Sequence, residues 1–553
     1  MPMYRRHAHN LSHTVSGTMN MGRCYPGTLF EVFPGDSFSI QAQNLTRFMP
    51  QIGVTMADVA IGVDFYQVPL RQLFDKLGLD WDAFLTGGEN GDDTSVLPTI
   101  TIPETGYDRG GLADWLNYPC NYYDIESGNK VIVGAGLKLS AIPVICYMHI
   151  INENYRDQNF IAKLDLTKYQ EFLDGTYVFK TPQGDTIQYD LLVNGLFRKA
   201  WSRDYFNRSM SNTQRGDVVS VPLSGQPAPV LTGNKHLNQS KMNHKPLSWV
   251  YTNHTNIEPT VGTNGFAIAN GETLLWTGEH GNAVGDSQQA PDNLYADLSN
   301  VPAFDLITFR LAARMQKFGE ILQKSGARAV EFTYSMFGVR IPDGRIQRPI
   351  FHGSFKLPVI FSEVLQTSST DSTSPQGNLA GHGITGGINK PIHVKVIEHG
   401  FVMAIVHVMP KSQYQNIVPK YLLRSTRWDM PNPLFQHIGD QATKRVELYP
   451  NSSHPDEAFG YVPRYSELSF IPSTIHGLFK DDMLSWTMAR VFSDEPVLGA
   501  SFRYGEPSNR SFAVQYLDSE RTKPADEMNI QIGFIIKARR LFARNPQPGI
   551  HIV

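Results

Sequence analysis

Cysteine is scarce. The chain of 553 residues has three, Cys24, Cys120 and Cys146, odd in number, far apart and without a C-x-x-C spacing. That excludes a disulfide framework and a zinc ribbon, and leaves the thiols as buried or inert groups. Long apolar runs are missing too. The longest, such as FVMAIVHVM (401–409), are too short to cross a bilayer as a helix, and the opening MPMYRRHAHNLSHTV has no apolar signal-peptide core. There is no excess of positive charge: 49 Lys and Arg stand against 52 Asp and Glu, for a formal net charge of -3. No global field attracts nucleic acid, so any such contact must be local. No fixed-period repeat is visible.

What is present is the composition of a folded, turn-rich protein. Hydrophobic residues make up 41% and charged residues 18%, and 46 Gly with 35 Pro call for many turns and long loops. The length alone allows three or four domains, a prior that is soft for β proteins.

Along the chain, Arg5, Arg6, His7 and His9 form a polar, basic arm before any periodicity appears, an ordered start is not expected, and the pattern changes at Thr28. From there LFEVF, the turn Pro34-Gly35-Asp36 and SFSIQAQ read as half-buried β-structure. ADVAIGVDFYQV (57–68) alternates until Pro69, and LRQLFDKLGL (70–79) has a helical pattern. A further helix is expected near Val144 to Asn152. Between Val221 and about Asn300 periodicity fades and Asn, Gly, Thr and Pro dominate. That stretch keeps Trp249, Tyr251, Phe266, Leu274, Leu275 and Trp276, so it reads as an ordered insertion with small sheets of its own.

Downstream, a helix capped by Asp305 repeats Leu306, Ile307, Leu311, Met315, Phe318 and Leu322 at steps of three and four. Arg310, Arg314, Lys317 and Lys324 fall off that face, so the helix should lie against a larger body before it stops at Ser325-Gly326. KPIHVKVIEHGFVMAIVHVMP (390–410) gives two strands broken at His399-Gly400, read as a central pair. NIQIGFIIKARR (529–540) is the last strong strand, with Ile530, Ile532 and Phe534 facing one way. Strands near both ends and in the 390s, with helices and long loops between, favour a single antiparallel sandwich with large insertions over alternating βα units.

Candidate chemistry is thin. His399 and His407 stand eight residues apart, too far at about 3.3 Å per residue to share one ion, so they and His393 read as satisfied or exposed histidines. Gly381-His-Gly-Ile-Thr-Gly-Gly387 imitates a dinucleotide fingerprint, but it follows no strand and opens no helix, so it reads as a flexible loop. Asp92-Asp93 and Asp481-Asp482 are adjacent in turn-like sequence, with nothing to hold them across a cleft. No catalytic, metal or cofactor residue is assigned. The basic ends are the candidates for DNA contact: Arg5 and Arg6 in the arm, and Lys537, Arg539, Arg540 and Arg544 around the last strand. Each phosphate contact would add about one unit to the salt dependence of binding, and Tyr4 and Phe542 offer rings for stacking. A merely solvated strand terminus stays open as the alternative.

A series of motifs runs in a fixed order from one end to the other. It comprises NLSHTV (10–15), EVFPGDSF (31–38), NENYRDQN (152–159), RDYF (203–206), VPLSG (221–225), FGVRIPDGRIQRPIFHG (337–353), QTSSTDSTSPQGNLAGHG (366–383), EHGFVMAIVHV (398–408), RSTRWD (424–429), HIGDQA (437–442), FGYVPRY (459–465) and GLF (477–479). On these the chain resembles the major capsid proteins of microviruses, small single-stranded DNA bacteriophages, particularly the gokushovirus-like branch.

The resemblance implies a mainly β fold: an eight-stranded antiparallel jelly roll with large loop and helical insertions, repeated in sixty copies as a T=1 icosahedral shell. It implies no enzyme activity, no cofactor and no membrane span. The implied partners are further copies of the chain, a single-stranded DNA genome, a small basic internal DNA-binding protein, vertex or pilot proteins, and a host surface receptor. The expected location is the virion, assembled in the bacterial host cytoplasm. The expected organisation is an arm (1–27), a first part of the shell domain (28–220), a surface insertion forming a threefold protrusion (221–300), and the remainder of the shell domain (301–553). Beyond VPLSG at its start, no motif of the insertion matches the family.

Two rivals fail on what they need. A secreted β-sandwich enzyme or carbohydrate-binding protein would need a signal peptide and a convergent carboxylate pair or an aromatic platform, and an outer-membrane barrel would need many alternating segments of about ten residues with aromatic girdles.

Overall fold

The computed structural model describes residues 6–86, 95–124, 126–127, 129–216, 230–232, 249–251, 274–276, 294–296, 306–325, 328–340, 342–343, 347–365, 379–517 and 525–544. The chain divides into two compact units, one formed by 1–215 with 320–553 and the other by 216–319.

The larger unit is built on two antiparallel sheets. The first has seven strands: β1 (His7–Asn10), β2 (His13–Met19), β4 (Ser37–Phe48), β7 (Ile360–Leu365), β8 (Leu379–Ile388), β9 (Ile392–Lys395) and β11 (Met528–Arg540). Its order is β1-β11-β4-β8-β7, with β2 also on β11 and β9 also on β4. The second, of four strands, is ordered β6-β5-β10-β3, from β3 (Cys24–Val32), β5 (Val59–Pro69), β6 (Ile350–Pro358) and β10 (Gly400–Pro410). They pack face to face: Phe534 of β11 meets Phe65 of β5 edge-on at 6.4 Å between ring centroids, and Phe30 of β3 lies 5.3 Å from Phe38 of β4. Fully burying such a side chain stabilises the fold by about 1.5–3 kcal/mol.

The two sheets differ in what covers their outer faces. The central strands of the four-stranded sheet are buried on both: β5 and β10 are almost continuously buried, not half-buried as the alternation of 57–68 suggests, while the edge strand β6 is partly exposed. The cover includes helix α2 (Ile142–Ile150), which is apolar all round and buried at every position but Pro143, as such a helix must be. The Tyr147 hydroxyl pins it, donating to the Cys24 carbonyl at 2.7 Å and accepting the Phe197 N–H at 3.1 Å. His407 lies under the same cover with its Nε2 3.1 Å from Asp64 Oδ2, and the Tyr155 hydroxyl donates to that oxygen at 2.6 Å. Cys24 and Cys146 are buried there, and burial pushes the Cys24 thiol up to about 12. The seven-stranded sheet instead leaves one face open, as antiparallel sheets can.

Several expectations are corrected. The N-terminal residues are ordered from β1 onward, because the last strand is long enough to pair β1 and β2 in succession along one edge and β4 along the other. The glycine-rich run 381–387 is strand, not loop. Gly383 sits opposite Phe361, and a Cβ there would come within 2.7 Å of that ring; Gly387 is held equally close to Leu357. The strands of 390–410 form no pair: β9 joins β4 in one sheet and β10 is central in the other. The segment after the helix of 306–325 holds a second helix, Ala329–Phe337, and then strand β6.

Helix α1 (Leu70–Leu77) ends on Gly78 in the left-handed region, where glycine costs least. In the smaller unit Val230–Thr232 pairs Leu294–Ala296 and Trp249–Tyr251 pairs Leu274–Trp276, both antiparallel. The proposed Asp305 cap, the Asp92-Asp93 pair, most of 221–300 and residues 366–378 lie outside the described residues.

Candidate nucleic-acid interface

The open face of the seven-stranded sheet is set by alternation along β11. Ile530, Ile532, Phe534, Ile536 and Ala538 point into the core, which turns Asn529, Gln531, Lys537 and Arg539 outward. Register extends the face sideways. Arg539 stands opposite Ser37 of β4, which stands opposite Lys395 of β9; Lys537, Ser39 and His393 form the next row. With strands about 4.8 Å apart, three cations and a histidine gather within about 10 Å. Lys537, Arg539, Lys395 and His393 are exposed, and among the described residues none is within ion-pair distance of a carboxylate. At the other end of the face Arg47 stands opposite Asn529, with the exposed Gln43 and Leu45 between.

The face also has a consistent sign. The chain carries 52 Asp and Glu, yet β1, β2, β4, β8, β9 and β11 contain neither. In this sheet only Glu363, on the edge strand β7, is acidic. A local positive potential over an amide- and hydroxyl-rich surface follows, whatever the net charge of the chain.

The predicted contacts separate. Lys537 and Arg539 lie on this face. Arg544 is exposed beyond the strand, and Arg6 is exposed near the turn at Gly35. Arg540 is turned the other way: its Nε is 3.3 Å from Asp36 Oδ2, it donates to the Glu31 carbonyl at 2.6 Å, and it lies over Phe33 and Phe38. Asp36 is itself buried, which pushes its carboxyl above the usual range despite the Phe33 N–H and Arg540. Arg540 thus closes the end of the core. Phe542 packs edge-on against Phe33 at 5.0 Å. Arg5 and Tyr4 lie outside the described residues. Sequence reasoning missed Arg47, His393 and Lys395, which register alone brings to the face. The absence of acid from these strand-like runs was the available signal.

The capsid protein (F protein) family model matches residues 2–546. The chain belongs to that family. It is 28% identical to capsid protein VP1 of Chlamydia phage 1 over 561 residues, covering 92% of this chain and 91% of that one. It is 29% identical to VP1 of Bdellovibrio phage phiMH2K over 521 residues (91% and 89%) and 27% identical to VP1 of Spiroplasma virus 4 over 533 residues (92% and 90%). The chain is accordingly a major capsid protein of the microvirus type, a structural component of the virion and not an enzyme. No helix among the described residues is long and apolar enough to cross a membrane. Membership in a capsid family gives a reason for apolar side chains that a lone subunit would bury: Leu434 is 83% and Ile471 91% exposed, with Trp428, Leu422 and Leu468 exposed nearby in sequence. Shell assembly supplies partners for such surfaces.

Proposed function

We propose that the chain is one of sixty equivalent subunits of a T=1 shell, that its two sheets form an eight-stranded jelly roll, and that the open face of the seven-stranded sheet lines the interior against single-stranded DNA. The strand order supports the jelly roll. Counting β2, β3, β4, β5, β6, β8, β10 and β11 as strands one to eight, the sheets run 1-8-3-6 and 2-7-4-5, the order that rolls up a long antiparallel hairpin. β1, β7 and β9 then extend the first sheet at its edges.

The observation that carries the DNA-facing role is the acid-free, cationic sheet face around Lys537, Arg539 and Lys395. Such a surface takes phosphates by charge and nucleotide edges by its Gln, Asn and Ser side chains, without stacking rings. Only a few cations serve each subunit, so a small basic internal protein is the natural source of the remaining neutralisation. The insertion at 221–300 suits a threefold surface protrusion that contributes to host attachment, and vertex or pilot proteins would complete the particle.

The test is single-stranded DNA binding by the full chain as a function of salt, with and without Lys395→Ala, Lys537→Ala and Arg539→Ala combined. At about 0.7 units of slope per phosphate contact on a single strand, the slope of log affinity against log salt should fall by about 2. An unchanged slope would return these residues to a solvated strand end.

A further inference from the structure

The cover of the four-stranded sheet is fastened to β5 and α1 by buried polar side chains. His149, near the end of α2, is fully buried, and its Nε2 lies 3.4 Å from Oε1 of Gln72 in α1, which is buried as well. The chain then widens into a single π-helical turn, Ile151–Tyr155, which carries the Tyr155 hydroxyl to Asp64 of β5. Such turns are rare and recur at functional sites. His407 of β10 reaches the same Asp64 oxygen through its Nε2.

Each of the two imidazoles has one nitrogen engaged and one sealed in. Nδ1 of His149 and Nδ1 of His407 are buried, and among the described residues neither has a hydrogen-bond partner. A neutral ring leaves only a lone pair there, whereas a protonated ring places a charged N–H where no acceptor or water receives it, which is far more costly. His407 has no room to swing away: it lies flat on the backbone of Gly62, where a Cβ would come within 2.2 Å of its Cε1.

The surrounding charges add to this. His149 faces Lys76, Lys163 and Arg348, the last 3.7 Å from Glu153. His407 faces Lys199 and Lys356, with Asp64 as the opposing charge, while Cys24, Tyr66 and Tyr155 around Asp64 are held protonated by burial. Burial first and these cations second push the His149 imidazole down to about 3, and hold His407 below the usual histidine range despite Asp64.

We propose that His149 and His407 form an acid-operated latch: as neutral rings they fasten residues 142–155 onto β5 and α1, and mild acid frees this cover while the seven-stranded sheet stays paired. The latch is independent of the shell reading. Once exposed, both rings take a proton near pH 6.5, whereas the closed cover resists it, so the stability they confer is complete above that value and is lost as pH falls below it. For His149 alone, the ratio of closed to open chain should fall about 30-fold between pH 7.5 and pH 5.

Hydrogen exchange of the full chain at those two pH values, corrected for the intrinsic effect of pH on exchange, tests this. Peptides of 142–155 should open at least about tenfold more often at pH 5, with β4 and β11 unchanged. In the double variant His149→Gln with His407→Gln, the acid response of 142–155 should shrink to less than about threefold. An equal response in parent and variant, no response in the parent, or opening of β4 and β11 together with 142–155 would overturn the latch. If the double variant does not fold, the imidazole nitrogen shifts of the isotope-labelled parent decide: rings that stay neutral until 142–155 opens support the latch, and rings that are charged while it remains closed overturn it.

Discussion

Glu527, just ahead of β11, is 7% exposed, and its Oε2 accepts the Met21 N–H at 2.6 Å. Burial pushes its carboxyl up to about 8, with the Met21 N–H and Arg23 opposing. The folded chain therefore holds this proton through a range where the unfolded chain has released it. The resulting stability is complete below about pH 4.5 and is lost as pH rises toward 8, on the order of 3 kcal/mol by pH 7. Glu527→Gln keeps an acceptor for Met21 and removes the titration. In denaturant unfolding at pH 5 and pH 8, the parent should lose more stability than the variant, and equal losses would show that Glu527 does not titrate in this range. At this scale the sequence was a partial guide. Lys537 and Arg539 were legible from alternation along one strand, but Arg540, next in line, belongs to Asp36 of a turn more than 500 residues away, and local sequence carries no sign of that pairing.

Elements with period-two or helical patterns were legible wherever their own side chains decided the matter: β3, β4, β11, α1 and α2 all follow from apolar spacing and punctuation. β8 was not. Its LAGHGITGGI contains four glycines and reads as a loop, because the feature that makes it a strand lies in its neighbours: the Phe361 ring opposite Gly383, and Phe48 behind it. Glycine here provides room and not flexibility. Gly383→Val should thus destabilise the subunit by about 1–3 kcal/mol through overpacking. Gly386→Ala, whose new Cβ would meet nothing nearer than the Asn44 carbonyl at 3.6 Å, should change stability little. A shared thermal midpoint for the two variants would contradict this reading of the strand. The pairing of β1 and β2 with β11 was equally hidden, since short polar runs near a terminus become strands only when a long partner extends past them.

At the scale of the molecule, an antiparallel sandwich with large insertions was readable from where the strand patterns lie, and family membership from the order of motifs. The asymmetry between the two sheets was not, because it depends on which insertion covers which face. The chain between β5 and β6 supplies α2 and cover for the central strands of the four-stranded sheet, and the seven-stranded sheet remains open, free of acid except at its edge and cationic at its ends. In the proposed shell such a face turns toward the cargo and apolar surfaces turn toward neighbours, and the exposed apolar side chains of 421–471 are available for the second role. Electron cryomicroscopy of particles assembled from the full chain tests this account most directly. Closed shells of about 3.7 MDa of protein, sixty copies of 62.0 kDa, with Lys395, Lys537 and Arg539 on the inner surface, are the predicted result. Shells with that sheet facing outward, or a chain that remains a 62.0 kDa monomer, would contradict it.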